Sequence, residues 1–276
     1  MPELPELTVV KEYLQRNIMG QVIVGAEMVR PTVLRDLAGE GLTEGLVGRR
    51  FTGVKQHGKF LILILDEGAR YLVINPMLTG HLQHVSPQVK RRKRTYIILS
   101  LLDGKELRYT DARSMGKVYI TDDPESVPGL QELGPDALGP ELTLDIFVQR
   151  MKRCRGQIKS LLCRQSFVAG IGNAYADDIL FRAGIYPFRK RTELSGEEME
   201  HIYWAMREVL TEAIEIVREQ MGEGIGQEEE FRDFLQVHRK GGQPCPVCGT
   251  PISEITAQRR ITSFCRKCQP GSLVSV

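Results

Sequence analysis

Four of the six cysteines form two closely spaced pairs near the end of the chain. Cys245-Pro-Val-Cys248 and Cys265-Arg-Lys-Cys268 are both C-x-x-C pairs, with sixteen residues between them. Each pair can present two thiolates from one tight turn, and zinc takes four soft ligands in a tetrahedron. The spacing predicts a four-cysteine zinc ribbon. Two disulfides or a redox pair are the alternatives, which a cytosolic chain disfavours.

The other two cysteines, Cys154 and Cys163, have no partner at such a spacing. A free cysteine behaves as a small hydrophobic residue that proteins commonly bury. We therefore expect both side chains in the core, with a reactive thiol as the alternative.

The chain begins MPELPE, so removal of Met1 would make Pro2 the first residue. A small residue at position 2 should permit that removal, and the α-amine of Pro2 would then be a free secondary amine. Taken by itself, a proline at this position is commonly just an ordinary protein start. Its meaning depends on the elements around it.

The composition is that of a globular protein long enough for two packed domains, with 276 residues, 42% hydrophobic residues and a formal net charge of +2. We expect neither a membrane span nor a secretory signal, because there is no apolar run of about 18 residues and Glu3 and Glu6 interrupt the start. A basic block covers residues 90–94. It is predicted to be a solvated hairpin tip, with a contribution to DNA association as the alternative.

The hydrophobic pattern changes along the chain. Helical spacing near the start predicts a helix that begins near Pro5 and is ended by Gly20. Short apolar runs separated by turn residues then predict a β-rich domain, a sandwich or a barrel, over about 21–121, with a hairpin turn at Asp103-Gly104. Residues 122–142 hold four prolines and three glycines, which is typical of a linker. Helical patterns follow, covering Ile146 to Met151, Ile158 to Leu162, Ala174 to Ala183 and Glu197 to Met221.

One helix start in this second half is unusually rich in glycine. Gly170 and Gly172, which have no side chains to cover the backbone, lie just before Asn173. Amides at the start of a helix bind anions, and glycine allows a phosphate to approach closely. A nucleotide-binding loop is the generic alternative, but the G-K-[ST] sequence of such a loop is missing. The basic ribbon downstream favours a DNA phosphate.

Taken together, these motifs resemble the formamidopyrimidine-DNA glycosylase / endonuclease VIII family over essentially the whole chain. The matching pieces are MPELPE, Gly58-Lys59-Phe60 in a β-domain, AGIGNAYADDILFRAGI and the terminal four-cysteine ribbon. The resemblance implies an α+β multidomain fold. It has an N-terminal helix and catalytic β-sandwich (1–121), a linker (122–142), a helix-two-turn-helix DNA-binding domain (143–236) and a β-hairpin zinc finger (237–276).

The resemblance also implies a function in base-excision repair. Family members remove oxidised bases from double-stranded DNA and nick the abasic site by β,δ-elimination, with one structural zinc ion. We therefore expect a monomeric bacterial-type enzyme in the cytoplasm, associated with the nucleoid. The alternatives are a lyase that acts on abasic sites with little glycosylase activity and a damaged-DNA-binding protein without catalysis. Intact Pro2 and Glu3 favour the enzyme over the non-catalytic protein.

By resemblance, four residues carry the catalysis: Pro2, Glu3, Glu6 and Lys59. The α-amine of Pro2 is the nucleophile, because an α-amine has a pKa of about 8 and a lysine amine one of about 10.4. Glu3 is the general acid and base. Glu6 shares its helix face and supports it, with a helix-start charge as the alternative. Lys59 contacts phosphate and aids catalysis.

The resemblance implies a further set of residues that contact DNA. Leu78 (or Met77), Arg113 and Met115 would fill the gap left by a flipped base, with ordinary loop residues as the alternative. Met115 stands where the family usually has phenylalanine, and Asn75 where members specific for oxidised guanine have histidine. Lys159 matches a lysine near the base pocket. Phosphate contacts are implied for Lys59, Asn173 and Arg260.

Lesion preference is predicted from a missing segment. Members that prefer 8-oxoguanine have a long mobile loop after an Arg-Asp-Phe sequence. Here Phe231-Arg232-Asp233-Phe234 leads quickly to Cys245. The preceding GEGIGQEEEF (222–231) is glycine-rich and acidic, and we expect it to be mobile and to repel phosphate. We therefore expect 8-oxoguanine to be a poorer substrate than ring-opened bases, hydantoins, oxidised pyrimidines or abasic sites.

Overall fold

The computed structural model describes residues 2–225, 232–257 and 260–271. The chain divides into two compact units. Unit 1 comprises Met1–Glu132 with Val217–Glu230, and unit 2 comprises Leu133–Ile216 with Phe231–Val276. Within the part of the chain that the structure describes, every helix is too short or too polar to span a bilayer.

Unit 1 begins with helix α1, Leu4–Asn17. Pro5 lies in its first turn, where a missing N–H costs nothing because that group has no partner within the helix. Leu7 and Leu14 face the core. The chain leaves the helix at Ile18, and Gly20 takes the left-handed conformation with φ of 77°. The predicted helix and its glycine stop are both confirmed.

Among its described residues, the rest of unit 1 is dominated by nine strands with one short α-helix among them. They are β1 (Ile23–Met28), β2 (Leu34–Asp36), α2 (Leu42–Leu46), β3 (Phe51–His57), β4 (Phe60–Leu65), β5 (Arg70–Asn75), β6 (Gly80–Val85), β7 (Thr95–Leu101), β8 (Glu106–Asp111) and β9 (Lys117–Thr121). The apolar runs of the sequence coincide with the strands, as in FLILIL, which is β4. Gly104 turns the chain between β7 and β8 with φ of 82°, as predicted.

The strands form a β-sandwich. One sheet has the order β1-β7-β8-β6 and the other the order β2-β9-β5-β4-β3. The β2–β9 pair is parallel, and all the other pairs are antiparallel. Leu63 of one sheet and Leu99 of the other belong to one buried cluster, together with Leu14 of α1. Of the two β architectures left open by the sequence, the sandwich is correct.

The basic block 90–94 is not the hairpin tip that the sequence predicts. Strand β6 pairs with β8 and not with β7, so residues 86–94 run from the start of β8 to its other end and connect the two strands that flank it. Arg108 on β8 is fully buried and donates to the carbonyl oxygens of Val89 and Pro87, at 2.8 and 3.3 Å. The prediction failed because the pairing is not between neighbours in sequence. The block is largely exposed, as expected.

Unit 2 is mainly helical and ends in a hairpin. Its elements are α3 (Leu144–Lys152), α4 (Ile158–Leu162), α5 (Asn173–Arg182), α6 (Gly196–Met221), β10 (Ser253–Ala257) and β11 (Arg260–Phe264). The final residues of α6, from Val217, belong to unit 1, where Arg218 forms a 3.0 Å ion pair with Glu12. The predicted helices are confirmed within about two residues.

The two cysteines outside the C-x-x-C pairs are less buried than predicted. Cys154 and Cys163 are both partly exposed. Aromatic rings occupy the core of the helical part instead, where Phe147 packs against Phe167 and Tyr203 with ring centroids 5.5 Å apart in each pair. The prediction of two core cysteines is therefore wrong.

Candidate functional site

The first turn of α1 fixes three of the predicted catalytic residues. Glu3 is the N-cap and is 1% exposed, and Pro2 before it is also buried. The backbone N–H of Glu3 donates to Glu6 Oε2 at 2.8 Å, and the two residues form a capping box. Such a box satisfies backbone groups that a helix start leaves without partners. The Pro2–Glu3 segment is therefore held rigidly at the helix start.

A glutamine that sequence reasoning missed links this turn to Lys59. Gln56 Nε2 donates to the carbonyl oxygens of Leu4 and Gly58, at 3.2 and 3.1 Å. Its Oε1 accepts from Thr8 Oγ1 at 3.0 Å. The β3–β4 turn, which carries Lys59, is thus fastened beside the start of α1. A lone polar residue in a strand gives no signal for such a role in a single sequence.

The predicted wedge residues lie on two loops of unit 1. Met77 and Leu78 belong to the loop between β5 and β6, and both are partly exposed. Met77 adopts φ of 51° and its N–H donates to Asn75 Oδ1 at 3.1 Å. Arg113 and Met115 are exposed on the loop between β8 and β9. The loops present apolar and basic side chains outward, and their roles on DNA stay predictions.

The two loops are joined by hydrogen bonds that the sequence did not reveal. Asp111 is fully buried, and its Oδ1 accepts from Thr79 Oγ1 at 2.5 Å and from the N–H of Arg113 at 3.0 Å. Its Oδ2 accepts from the N–H of Gly116 at 2.6 Å. An acidic residue at the end of a strand, five residues before a glycine, was a visible signal, although its partner Thr79 was not.

In unit 2, the other predicted DNA-contacting residues meet at one carbonyl group. Lys159 Nζ and Asn173 Nδ2 donate to the carbonyl oxygen of Ile261, at 2.7 and 2.8 Å. Arg260, the preceding residue, is exposed at the start of β11. The structure therefore brings Lys159 and Asn173 to the residue next to Arg260, at the end of the hairpin where β11 begins.

Lys159 is more buried than a lysine exposed for DNA contact would be. It is 7% exposed, and its ammonium group also contacts Thr262 Oγ1 at 2.9 Å and Asp177 Oδ1 at 2.6 Å. Three oxygens around one ammonium group use its three donors. In this structure the side chain fastens α4 to α5 and β11, and its contact with a base stays a prediction.

The glycine-rich start of α5 has the geometry that the sequence predicts. Gly170 adopts φ of 99°, a conformation that favours glycine, and Gly172 is the N-cap of the helix. Asn173 is the first helical residue. Phosphate binding at this helix start stays a prediction.

The segment before the cysteines is short and tied to α5. Asp178 Oδ2 accepts from the N–H of His238 at 3.2 Å, and Oδ1 accepts from the N–H of Gln236. Burial raises the pKa of the Asp178 carboxyl group to about 6, against the lowering effect of these two bonds. His238 Nδ1 lies 2.8 Å from Asp177 Oδ2. The predicted mobility of 222–231 lies outside the described residues from position 226 onward.

The four paired cysteines fit a zinc ion. Their sulfur atoms all lie within 4.8 Å of one another. Four thiolates around one zinc ion are about 3.8 Å apart. The distance from Cys245 Sγ to Cys268 Sγ is 3.8 Å, and that from Cys248 Sγ to Cys265 Sγ is 3.4 Å. The donor set is closed, so this is a structural site without an open position for chemistry.

Known protein families match the chain along most of its length. Residues 1–118 match the formamidopyrimidine-DNA glycosylase N-terminal domain, and residues 133–223 match the helix-two-turn-helix domain of the same glycosylase. Residues 242–271 match a zinc finger found in this glycosylase and in isoleucyl-tRNA synthetase. The order of sandwich, helical domain and zinc finger is that of a DNA-repair glycosylase.

Individual relatives match this chain over nearly its whole length. The formamidopyrimidine-DNA glycosylase of Symbiobacterium thermophilum is 36% identical, over 98% of this chain and 90% of that protein. The Lactococcus lactis enzyme in complex with DNA containing an abasic site has a TM-score of 0.87 at 27% identity, over 98% of this chain and all of that one. A mutant of it with DNA containing Fapy-dG has a TM-score of 0.88 at 26% identity, with the same coverage. The chain belongs to the formamidopyrimidine-DNA glycosylase family.

Family membership confirms the predicted fold class, enzyme class and structural zinc ion. The predicted domain limits and the roles of the individual site residues stay predictions.

Proposed function

We propose that this protein excises ring-opened and oxidised bases from double-stranded DNA and then cleaves the abasic strand, with the nitrogen of Pro2 as its nucleophile. Family membership supports the glycosylase and lyase chemistry. The observation that carries the assignment of residues is the first turn of α1, where Pro2 and Glu3 are buried and held by the capping box beside the turn that bears Lys59.

Excision begins at the anomeric carbon of the damaged nucleotide. Once Met1 is removed, the lone pair of the Pro2 nitrogen attacks C1′, and the glycosidic bond breaks with its electron pair leaving on the base. The nitrogen then loses its proton. The ring of proline fixes φ, so the nucleophile is pre-oriented by the rigid start of α1. Glu3 donates a proton to the sugar ring oxygen, and the ring opens to an iminium ion between C1′ and the Pro2 nitrogen.

Strand cleavage follows from the iminium ion. Its positive charge acidifies the protons at C2′, and removal of one of them expels the phosphate at C3′. A second elimination expels the phosphate at C5′. Glu3, as the carboxylate, accepts and returns protons in these steps. Lys59 neutralises charge on the flanking phosphate. Water then hydrolyses the iminium ion and regenerates the amine.

The remaining site residues serve DNA binding in this proposal. Arg113, Met115 and Leu78 (or Met77) fill the space of the extruded base, which prevents its return. Asn173 and Arg260 contact phosphates, which places the lesion without reading sequence. The zinc ion supplies rigidity to the β10–β11 hairpin that presents Arg260.

The partner in this proposal is damaged double-stranded DNA, and the protein acts as a monomer. The relatives named above are bacterial. Because the substrate is chromosomal, we place the protein in the cytoplasm with the nucleoid.

The lesion preference is the main testable extension of this function. Phe234 leads to Cys245 without the residues that form the long cover loop of 8-oxoguanine specialists. The backbone N–H groups of Gln236 and His238 in this segment donate to Asp178. An intact planar purine loses contacts without that cover, whereas ring-opened bases and abasic sites depend on it less.

We expect 8-oxoguanine opposite cytosine to be cut about tenfold more slowly than formamidopyrimidines or abasic sites, since about 1.4 kcal/mol of lost contacts suffices. Single-turnover rates on matched duplexes that differ in one lesion measure this directly. A duplex with undamaged guanine is the control. A faster rate on 8-oxoguanine than on every other lesion would contradict the expected preference.

A further inference from the structure

We propose that Asp111 and Thr79 are positioning residues that lock the two wedge loops together, so that both loops enter the DNA as one unit. The first wedge loop comprises residues 76–79 and the second comprises residues 112–116. This inference rests on the proposed function, because it concerns how the protein turns a damaged base out of the duplex.

The lock has a charged centre. Asp111 is 0% exposed, and its carboxylate receives three donors, two from the backbone of the second loop and one from Thr79 in the first. A buried carboxylate is tolerated only when it is well hydrogen-bonded, and bonds to a charged acceptor are the strong ones. This carboxylate is therefore a rigid anchor for both loops.

Thr79 is the element that joins one loop to the other. Its hydroxyl group donates to Asp111 Oδ1 at 2.5 Å and accepts from the N–H of Arg113 at 3.0 Å. A hydroxyl group can do both, because it has one donor and two acceptor lone pairs. The N–H of Arg113, a predicted wedge residue, is thus shared between the carboxylate and the other loop.

The phenol group of Tyr109 also restricts the movement of both loops. A Cβ atom on Gly80 would lie 2.2 Å from Tyr109 Oη, and one on Gly116 would lie 1.7 Å from the same atom. Gly80, which directly follows the first loop, and Gly116, which ends the second, therefore both fit around Tyr109, which is itself 3% exposed. Neither loop end has room to shift toward the ring.

The functional reason for such a lock is geometric. Side chains that fill the gap of a flipped base must be in place at the same moment, and a misplacement of about 1 Å can cost on the order of 100-fold in rate. Two loops that moved independently would fill the gap only part of the time. Cleavage of an abasic site in single-stranded DNA needs no base extrusion, so it should not depend on the lock.

Three variants separate this role from others. Thr79→Val keeps the shape of the side chain and removes the hydroxyl group. Thr79→Ser keeps the hydroxyl group and should therefore behave like the wild-type protein. Thr110→Val is the control for loss of a threonine hydroxyl group, since Thr110 lies beside Asp111 on β8, is buried where Thr79 is partly exposed, and places its hydroxyl group 3.5 Å from the carbonyl oxygen of His81.

The test compares two single-turnover rates for each variant, excision from a damaged duplex and cleavage of single-stranded abasic DNA. We expect Thr79→Val to slow duplex excision by about tenfold and to leave single-strand cleavage within about twofold of wild type. Thr79→Ser and Thr110→Val should retain both rates. The unfolding temperature of each variant is measured together with its rates.

Asp111→Asn provides a second, independent variant. Whichever way the amide is oriented, its NH2 group faces a backbone N–H, either that of Arg113 or that of Gly116. We expect the same split between the two rates.

Several results would overturn the inference. An equal loss on duplex and single strand would show a general structural role, and unchanged duplex excision in Thr79→Val would show no role. A Thr79→Ser variant as slow as Thr79→Val would remove the hydroxyl group from the explanation. A wild-type protein that cuts single-stranded abasic DNA but no damaged duplex would instead contradict the proposed glycosylase function, and the inference with it.

Discussion

Pro2→Gly is expected to retain binding to damaged duplex DNA and to lose strand cleavage by about 100-fold or more. Glycine still supplies an α-amine, but a primary one on a residue with no fixed φ, so the attacking nitrogen is poorly placed. The capping box of Glu3 and Glu6 does not use the proline ring, and helix α1 should therefore persist. Single-turnover cleavage of an abasic duplex and a binding titration measure the two quantities separately.

The matched control for this prediction leaves every side chain intact. Protein produced with Met1 retained has its Pro2 nitrogen in a peptide bond, and it should be as inactive as Pro2→Gly. Treatment of the same preparation with methionine aminopeptidase should restore cleavage. Full activity of the Met1-containing protein would mean that another group is the nucleophile.

Cys265→Ser is expected to lower the zinc content from one ion to well below one per chain. Structural zinc sites contribute apparent binding free energies of about 10–16 kcal/mol, and this energy is available to folding. Cys265 is fully buried and directly follows β11, so loss of the metal should loosen the hairpin that presents Arg260. DNA affinity should fall by about tenfold or more, and the β-sandwich should remain folded. Elemental analysis and a binding titration measure this.

Cys154→Ser is the matched control for the zinc prediction. It makes the same substitution at a partly exposed cysteine outside the cluster, so it should retain both zinc and DNA affinity. Wild-type protein that contained no zinc, or a Cys265→Ser variant with full zinc and full affinity, would contradict the structural role of the metal.

The parts of the fold that follow from local pattern were predictable. Strand β4 is a continuous apolar run, and α4 coincides with the predicted helix from Ile158 to Leu162. Both were predictable because the spacing of apolar residues along a short stretch of sequence indicates the type of element. The pairing of β6 with β8 was not predictable in the same way. It depends on residues far apart in sequence, and it turned an expected hairpin tip into a crossover.

In the candidate site, too, some residues could be predicted from the sequence and others could not. The residues that carry chemistry, such as Pro2 and the four cysteines, have types and spacings that identify them. Gln56, Thr79 and Asp177 were missed because their importance comes from where their polar atoms lie in the folded protein. A single buried polar side chain gives no periodic or motif signal, so its hydrogen-bond partners become visible only in the structure.

Trapping the covalent intermediate tests whether the nitrogen of Pro2 is the nucleophile. Borohydride reduces an iminium ion to a stable amine, so treatment during turnover should link the protein to an abasic or damaged duplex. Peptide mapping by mass spectrometry then locates the linkage. We expect an adduct on the N-terminal peptide at the nitrogen of Pro2, with Met1 absent. An adduct on Lys59 or on any other lysine, or rapid strand cleavage without any trapped adduct, would contradict this expectation.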